Sequence, residues 1–234
     1  MHLGILDCDR VDPDLADCFG QYADMFQQAL SPYNFQFSVY DGQSEVLPDV
    51  TSCDGWLITG SRHAAYDDIP WIHRLLPWIR QVEQQRRPLA GICFGHQIIA
   101  KALGGDVKRA EVGWGVGTYK VERSDNPHWL LPKQCNLTLL VSHQDQVTHL
   151  PPTAELLYGN SFCPIYGFAV GRHVLTLQGH PEFSRDYTRA LMERRQAIIG
   201  ELPYQAGIQS LDAELDDALA LRWLADFLRQ SHSG

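Results

Sequence analysis

The chain has 234 residues, of which 44% are hydrophobic and 20% charged, so it is long enough to bury a substantial core without disulfides or a structural metal. Its formal net charge of −9 argues against nucleic acid as a partner, because an acidic surface repels phosphate. The six cysteines include no Cys-x-x-Cys pair, which excludes the spacing of zinc ribbons and offers no framework of a secreted disulfide scaffold.

The start of the chain lacks the pattern of a secretory leader, because Asp7, Asp9 and Arg10 interrupt the only early apolar run. No later stretch reaches the length of a transmembrane helix. We therefore expect a cytoplasmic protein with no membrane partner.

Short apolar runs alternate with helical patterns in the first part of the chain, which predicts βαβ units. The predicted strands are Leu3–Asp7, Phe35–Tyr40, Gly55–Thr59, Leu89–Ile92, Thr118–Glu122, Leu137–Val141, Tyr166–Val170 and Val174–Gln178. The predicted helices are Asp14–Leu30, Ile72–Arg86, Phe94–Leu103, Arg185–Ile199 and Leu211–Arg229. We expect an α/β fold: an open, mostly parallel sheet with helices on both faces and antiparallel additions between Gly113 and Gln178.

The sequence shows no linker, repeat or low-complexity segment, so residues 1–234 are predicted to form one domain. Residues 200–207 are predicted as a loop before the last helix. Leu215, Leu219, Trp223 and Phe227 give that helix an apolar face, which either docks on the core or serves as a partner surface.

A cysteine stands where a buried strand pattern meets a helix pattern. Cys93 follows the strand ending at Ile92 and precedes Phe94, with Gly91 and Gly95 on either side. Such a strand-to-helix elbow needs small neighbours and exposes a nucleophile above a helix N-terminus, which favours the thiolate. The plain alternative is a buried cysteine that packs as a small hydrophobe.

A second motif, His180-Pro181-Glu182, follows the strand pattern that ends at Gln178. A cysteine nucleophile needs an imidazole to move its proton and a third group to orient that imidazole. In an extended segment, His180 and Glu182 project to the same side. The plain alternative is a solvated strand end with a chance histidine.

Together, Gly91-Ile-Cys-Phe-Gly-His-Gln97 and His180-Pro-Glu182 resemble the motifs of the class I (triad) glutamine amidotransferases. The resemblance implies that Cys93 is the nucleophile, His180 the general base and Glu182 its partner. It also implies the flavodoxin-like fold of that family and no cofactor.

The resemblance extends to two further loops. Thr59-Gly60-Ser61 occupies the place of the family's oxyanion loop, so Gly60 or Ser61 would join Phe94 in the oxyanion hole. Gln97, Ser142 and His143 resemble the positions that hold the amino-acid end of glutamine.

The oxyanion loop departs from the family pattern. It reads Gly60-Ser61-Arg62-His63, where synthase-linked members have a glycine pair and a proline. The chain looks most like the free-standing branch that includes plant γ-glutamyl peptidases and relatives of the GMP synthase glutaminase domain. This resemblance is carried by the combination of Gly60-Ser61, Asp67-Asp68-Ile69-Pro70-Trp71, Gly91-Ile-Cys-Phe-Gly-His-Gln97 and Gly113-Trp114. His63, Tyr66, Asp67 and Asp68 follow this loop and are expected to select the distal end of the substrate.

Three other motifs have simpler interpretations. Gly113–Gly117 has the wrong glycine register for a dinucleotide fingerprint. A metal site on His143, His180 and Glu182 would use good ligands but leaves the glycine-flanked cysteine unexplained. The segment Arg185–Arg195 mixes both charge signs and is predicted to be a solvated helix face.

The sequence therefore predicts an enzyme that attacks the γ-carbonyl of glutamine or of a γ-glutamyl compound through a Cys93 thioester. A separate synthetase chain is a possible partner if ammonia is the product. The alternatives are a stand-alone γ-glutamyl peptidase acting on glutathione-like substrates, and a non-catalytic protein that binds γ-glutamyl ligands or regulates a partner.

Overall fold

The computed structural model describes residues 1–124 and 130–230. Within them the chain forms eleven strands and seven α-helices. The strands are β1 (His2–Asp7), β2 (Gln36–Asp41), β3 (Gly55–Ile58), β4 (Leu89–Ile92), β5 (Asp106–Arg109), β6 (Gly115–Arg123), β7 (Asn136–His143), β8 (Asp145–His149), β9 (Ala154–Gly159), β10 (Gly167–Val170) and β11 (Val174–Leu177). The helices are α1 (Pro13–Phe19), α2 (Tyr22–Ala29), α3 (Pro70–Gln84), α4 (Phe94–Ala102), α5 (Arg185–Ile199), α6 (Glu201–Ser210) and α7 (Asp217–Gln230).

Nine of these strands form one sheet in the order β2-β1-β3-β4-β11-β10-β9-β6-β7, while β5 and β8 pair separately. The first five strands in that order are parallel and the remaining pairings are antiparallel. The four-residue strands β3, β4 and β11 are buried on both faces, which explains their continuous apolar sequences. The predicted α/β sheet with antiparallel additions is confirmed.

Helices cover both faces of the sheet, because strand side chains alternate between two cores. Leu57 packs in one core with α2 and α7, which contribute Phe26 and Leu224. Its neighbours Trp56 and Ile58 pack in the other core with α3 and α4. None of the helices in the described ranges combines the length and apolar character needed to cross a bilayer.

The helix predicted at Asp14–Leu30 is two helices in the structure. Gly20 ends α1 with φ 76°, and Gln21 then begins α2 with a capping box to Asp24. A residue with positive φ cannot continue a right-handed helix, so the chain turns here although its apolar pattern continues.

The predicted loop at residues 200–207 is wrong, since Glu201–Ser210 forms helix α6. Gly207 lets this helix lie against β6: a Cβ there would come within 2.9 Å of Val116 Cγ2. Packing against the sheet therefore overrides a composition typical of loops.

The last helix docks on the core, with Trp223 and Phe227 each 2% exposed, so these side chains are not available as a partner surface.

Strand β11 is parallel to β4 and antiparallel to β10, which corrects its assignment to the purely antiparallel additions. The sequences of strands β5, β8 and β9 show no clear alternation of apolar and polar residues, and these strands were not predicted. A single domain over residues 1–234 stays a prediction.

Candidate active site

Cys93 lies on a strained turn between β4 and α4. Its backbone has φ 55° and ψ −104°, a conformation that side-chain-bearing residues rarely adopt. The flanking glycines permit the turn: a Cβ at Gly91 would stand 2.6 Å from the Gly95 carbonyl oxygen, and one at Gly95 would stand 2.2 Å from the Ile58 carbonyl oxygen. The structure thus has the strand-to-helix elbow expected for a nucleophile, with Cys93 largely buried at the lining of a cleft.

The imidazole of His180 lies between Cys93 and a carboxylate. His180 lines the same recess as Cys93, and its Nδ1 lies 2.7 Å from Glu182 Oε1. Phe183 stacks on the imidazole with ring centroids 3.8 Å apart. These contacts fix the ring orientation, so the structure brings together the three residues of the predicted triad.

The electrostatics of His180 favour its charged form. Burial lowers the pKa of the imidazole, but the negative charges of Glu182 and Cys93, together with the hydrogen bond to Glu182, outweigh burial and raise the pKa to about 10. An imidazolium at this position can give a proton to a departing nitrogen.

The pairing of β4 with β11 sets the distance between nucleophile and imidazole. Ile92 pairs with Leu177, so Cys93 and His180 both follow the carboxyl ends of adjacent parallel strands. The Cys93 N–H donates to the Leu177 carbonyl oxygen at 2.9 Å, and the His180 N–H donates to the Leu140 carbonyl oxygen at 2.8 Å. Ligand sites of open α/β sheets form at this edge.

Backbone donors surround the other side of Cys93. In residues 1–124 and 130–230 we find no hydrogen-bond acceptor for the N–H groups of Gly60, Ser61 and Phe94. A Cβ at Gly60 would stand 3.1 Å from His180 Cε1 and 3.7 Å from Cys93 Cβ, so the loop passes very close to both. This arrangement is the one that an oxyanion hole requires.

The residue after Ser61 is tied to the segment that follows strand β1. Asp9 accepts hydrogen bonds from the Arg62 backbone N–H at 2.7 Å and from Arg62 Nε at 2.8 Å. Its side chain is only 7% exposed, whereas that of Arg62 is 53% exposed. The buried carboxylate therefore anchors the loop that carries Gly60 and Ser61.

A cleft of about 340 Å³ opens at Cys93, and Gln97, Ser142 and His143 are among the residues that line it. Gln97 Nε2 donates to the Asp145 carbonyl oxygen at 2.8 Å and to Gln178 Oε1 at 3.1 Å, so this side chain offers the cleft an acceptor. Burial lowers the pKa of His143 to about 4, which leaves it neutral at pH 7. Ser142 lies inside β7 and not after a strand end.

The loop after Arg62 is divided between two environments. His63 lines the cleft, and the Tyr66 hydroxyl donates to Asp145 Oδ1 at 2.9 Å. Asp68 instead binds exposed His73 at 2.6 Å with a side chain that is 99% exposed. Of the residues expected to select the distal end of the substrate, Asp68 is thus directed elsewhere.

Arg195 and Tyr22 are among the cleft residues that sequence reasoning missed. The charge pattern predicts Arg195 on a solvated helix face, but its Nη1 donates to Ser142 Oγ at 3.3 Å. Tyr22 lines the same cleft from α2. The position of Arg195 could have been inferred from its spacing, because it follows buried Leu191 by one helical turn and so lies on the same face of the helix. No sequence motif indicates Tyr22.

The glycine-rich segment and the alternative metal site can also be compared with the structure. Gly115 and Gly117 lie in strand β6, so this segment is not the turn of a dinucleotide-binding βα unit. Among the residues that the structure describes, no three His, Cys, Asp or Glu side chains are grouped as metal ligands.

Comparison with known proteins identifies the family. The glutamine amidotransferase class-I family matches residues 14–198. Gamma-glutamyl peptidase 3 of Arabidopsis thaliana is 31% identical over 185 residues, covering 75% of this chain and 74% of that protein. One of the subunits of the glutamine-hydrolyzing GMP synthase of Methanothermobacter thermautotrophicus is 28% identical over 155 residues, covering 62% of this chain and 83% of that protein.

The fold is also that of known family members. The crystal structure of a glutamine amidotransferase from Thermotoga maritima superposes with a TM-score of 0.77 at 19% identity, covering 100% of this chain and 98% of that one. The sequence match and the fold agree over the elements that carry Cys93 and His180. The chain belongs to the class I glutamine amidotransferases.

Proposed function

We propose that this protein hydrolyses the γ-glutamyl bond of glutamine or of a γ-glutamyl compound through a covalent thioester on Cys93. The observation that carries the proposal is the buried cluster in which His180 lies beside Cys93 and hydrogen-bonds Glu182, in a recess that adjoins a cleft. A thiolate, an oriented imidazole and unpaired backbone donors are the groups that acyl transfer needs.

The reaction proceeds in two halves. The Cys93 thiolate attacks the γ-carbonyl carbon, and the N–H groups of Phe94 and of Gly60 or Ser61 stabilise the oxyanion. His180 gives its proton to the nitrogen as the carbon–nitrogen bond breaks, which leaves the glutamyl thioester. Neutral His180 then takes a proton from water, the hydroxide adds to the thioester, and glutamate leaves with restoration of the Cys93 thiolate.

The size of the cleft favours a leaving group larger than ammonia. The cleft at Cys93 is also lined by Trp114 and Ile198, which lie outside the elements that carry the attacking groups. The similarity to gamma-glutamyl peptidase 3 is consistent with a γ-glutamyl amine or peptide as substrate. We therefore place stand-alone γ-glutamyl hydrolysis first.

The second candidate is ammonia supply to a separate synthetase chain. The similarity to the Methanothermobacter protein favours it, since that protein is named as one subunit of a glutamine-hydrolyzing synthase. In that case hydrolysis of glutamine by the isolated chain would be slow and would rise when the partner binds. A non-catalytic role is the least favoured, because it leaves the strained Cys93 backbone unexplained.

We also propose a cytoplasmic location. All six cysteines are free thiols, as expected in a reducing compartment.

The deciding experiment measures glutamate released from glutamine, glutathione, a glutathione conjugate and a γ-glutamyl amine by the purified protein. A kcat/KM for a γ-glutamyl peptide about 100-fold above that for glutamine, a difference of about 2.7 kcal/mol in transition-state free energy, would support the peptidase. Uniformly slow rates that rise only with a synthetase would support the ammonia-supplying amidotransferase. No glutamate from any substrate and no thioester by mass spectrometry would refute both.

A further inference from the structure

The recess next to Cys93 contains a guanidinium with no carboxylate to neutralise it. Three arginines line the cleft. Arg62 pairs with Asp9, and Arg194 pairs with Asp12 and Asp14. Half-buried Arg195 makes a hydrogen bond to the neutral Ser142 hydroxyl, and within the described part of the chain it has no ion pair. An unpaired positive charge in a partly buried recess is costly unless a ligand neutralises it.

Two hydroxyl groups in the same recess also lack an acceptor. Tyr22 and Ser142 line it together with Arg195, Cys93 and His180. The Tyr22 oxygen accepts a hydrogen bond from Tyr187 at 3.2 Å, and the Ser142 oxygen accepts one from Arg195. Across residues 1–124 and 130–230, neither hydroxyl hydrogen has a protein acceptor, so both are available to a ligand.

The recess thus presents three donors to a ligand: the Arg195 guanidinium and the hydroxyls of Tyr22 and Ser142. Donors without acceptors select an anion, and a guanidinium with neighbouring hydroxyls suits a planar carboxylate. We propose that Arg195 and Tyr22, with Ser142, form the subsite that recognises the α-carboxylate of the γ-glutamyl group.

This assignment rests on the proposed function and specifies which end of the substrate the recess holds. The recess adjoins Gly60, Ser61 and Cys93, where the γ-carbonyl carbon must lie, so it serves the glutamyl part of the molecule. The wider cleft toward Trp114 and Ile198 remains for the leaving group. Gln97 offers an acceptor for the α-ammonium.

The test uses two chromogenic substrates that differ only in the α-carboxylate: L-γ-glutamyl-p-nitroanilide and 4-aminobutyryl-p-nitroanilide. The change Arg195→Gln should lower kcat/KM for the γ-glutamyl substrate about 10- to 100-fold, mainly through KM, because a hydrogen bond to a charged group is lost. It should change kcat/KM for the 4-aminobutyryl substrate less than about threefold. Tyr22→Phe should cause a smaller loss, about threefold to 10-fold, with the same selectivity.

Two further variants serve as controls for the effect of Arg195→Gln. Arg189→Gln removes an exposed charge from the same helix and should leave both rates within about twofold of wild type. Arg195→Lys should recover part of the selectivity for the γ-glutamyl substrate, since the charge remains. Equal losses on both substrates would overturn the proposal, and so would a loss confined to peptides whose leaving group carries a carboxylate.

Binding to the Cys93→Ala protein separates this proposal from the proposed function. Calorimetry should show that glutamine binds at least about 10-fold more tightly than 4-aminobutanamide, which lacks the α-carboxylate, and that Arg195→Gln removes the difference. This result requires no catalysis. Preferential glutamine binding to Cys93→Ala, combined with no hydrolysis of any γ-glutamyl substrate by the wild-type protein, would support the subsite while refuting the hydrolase. Equal binding of the two compounds would refute the subsite.

Discussion

Two regions flank Cys93, and they are built in different ways. The motif side, His180 to Phe183, is short in sequence: His180 and Glu182 are two residues apart, 2.7 Å apart in space, and buried. The loop side, Gly60 to Asp68, is held by contacts that are distant in sequence. Asp9 binds Arg62 across 53 positions, and Tyr66 binds Asp145 across 79.

The difference indicates that the two regions have different roles. Buried short-range contacts fix the proton-transfer groups, because water does not compete for their hydrogen bonds. The side chains that hold the loop side are partly exposed, 53% for Arg62 and 39% for Tyr66, so each contact contributes less. We expect the motif side to control whether the reaction occurs, and the loop side to control how well the transition state and the leaving group are held.

The largest effect should come from the residue between the two regions. Cys93→Ala should lower kcat by roughly 10³-fold or more with the fold intact, since no thioester can form. The measurement is glutamate release, with circular dichroism as the check on folding. Turnover near the wild-type rate, after contaminating glutaminase is excluded, would contradict covalent catalysis.

On the motif side, Glu182→Gln should reduce kcat/KM about 10²-fold. It should also move the alkaline limb of the pH profile to lower pH. The imidazolium is the proton donor and is lost as pH rises through its pKa, which Glu182 helps raise to about 10. Rates measured between about pH 6 and 11 test the direction; a limb that stays in place or moves upward would show that Glu182 does not set the charge of His180.

On the loop side, Asp9→Asn should lower kcat about 10-fold with little change in KM, because the oxyanion donors shift while the glutamyl contacts remain. Asp17→Asn on exposed α1 is the matched control. If Asp9→Asn lowers the melting temperature but leaves kcat unchanged, Asp9 has only a structural role.

The smallest effect should come from Tyr66→Phe, which removes one hydrogen bond from a partly exposed side chain. We expect a loss of about 1 kcal/mol or less, or roughly two- to fivefold in kcat/KM. The loss should be larger for γ-glutamyl peptides than for glutamine if the loop contacts the leaving group. Kinetics on the two substrates would show this difference. A loss as large as that of Asp9→Asn would mean that the Tyr66 contact holds the loop in place as Asp9 does, and does not only select the leaving group.

The sequence was informative where structure depends on neighbours in the chain. The elbow at Cys93 and the pairing of His180 with Glu182 follow from glycine positions and from the two-residue repeat of extended backbone, and the structure has both. Their catalytic roles stay predictions.

Other features depend on contacts that no local pattern encodes. Asp9 and Tyr22 reach the site only because β1 and α2 pack beside β3 and α5, so neither residue carries a motif. Helix α6 forms in a segment rich in loop-forming residues because Gly207 allows it to contact β6. Arg195 was predictable in part, from its helical spacing to Leu191.

Activity depends on long-range folding, because the site lies where the parallel half of the sheet meets the antiparallel half. Strands β4 and β11 are far apart in sequence, yet their register brings Cys93 beside His180. A slip by a single residue would displace one strand by about 3.3 Å and reverse which face each side chain occupies. Under the proposed mechanism, the nascent chain therefore cannot become reactive until β11 has been made and inserted between β4 and β10.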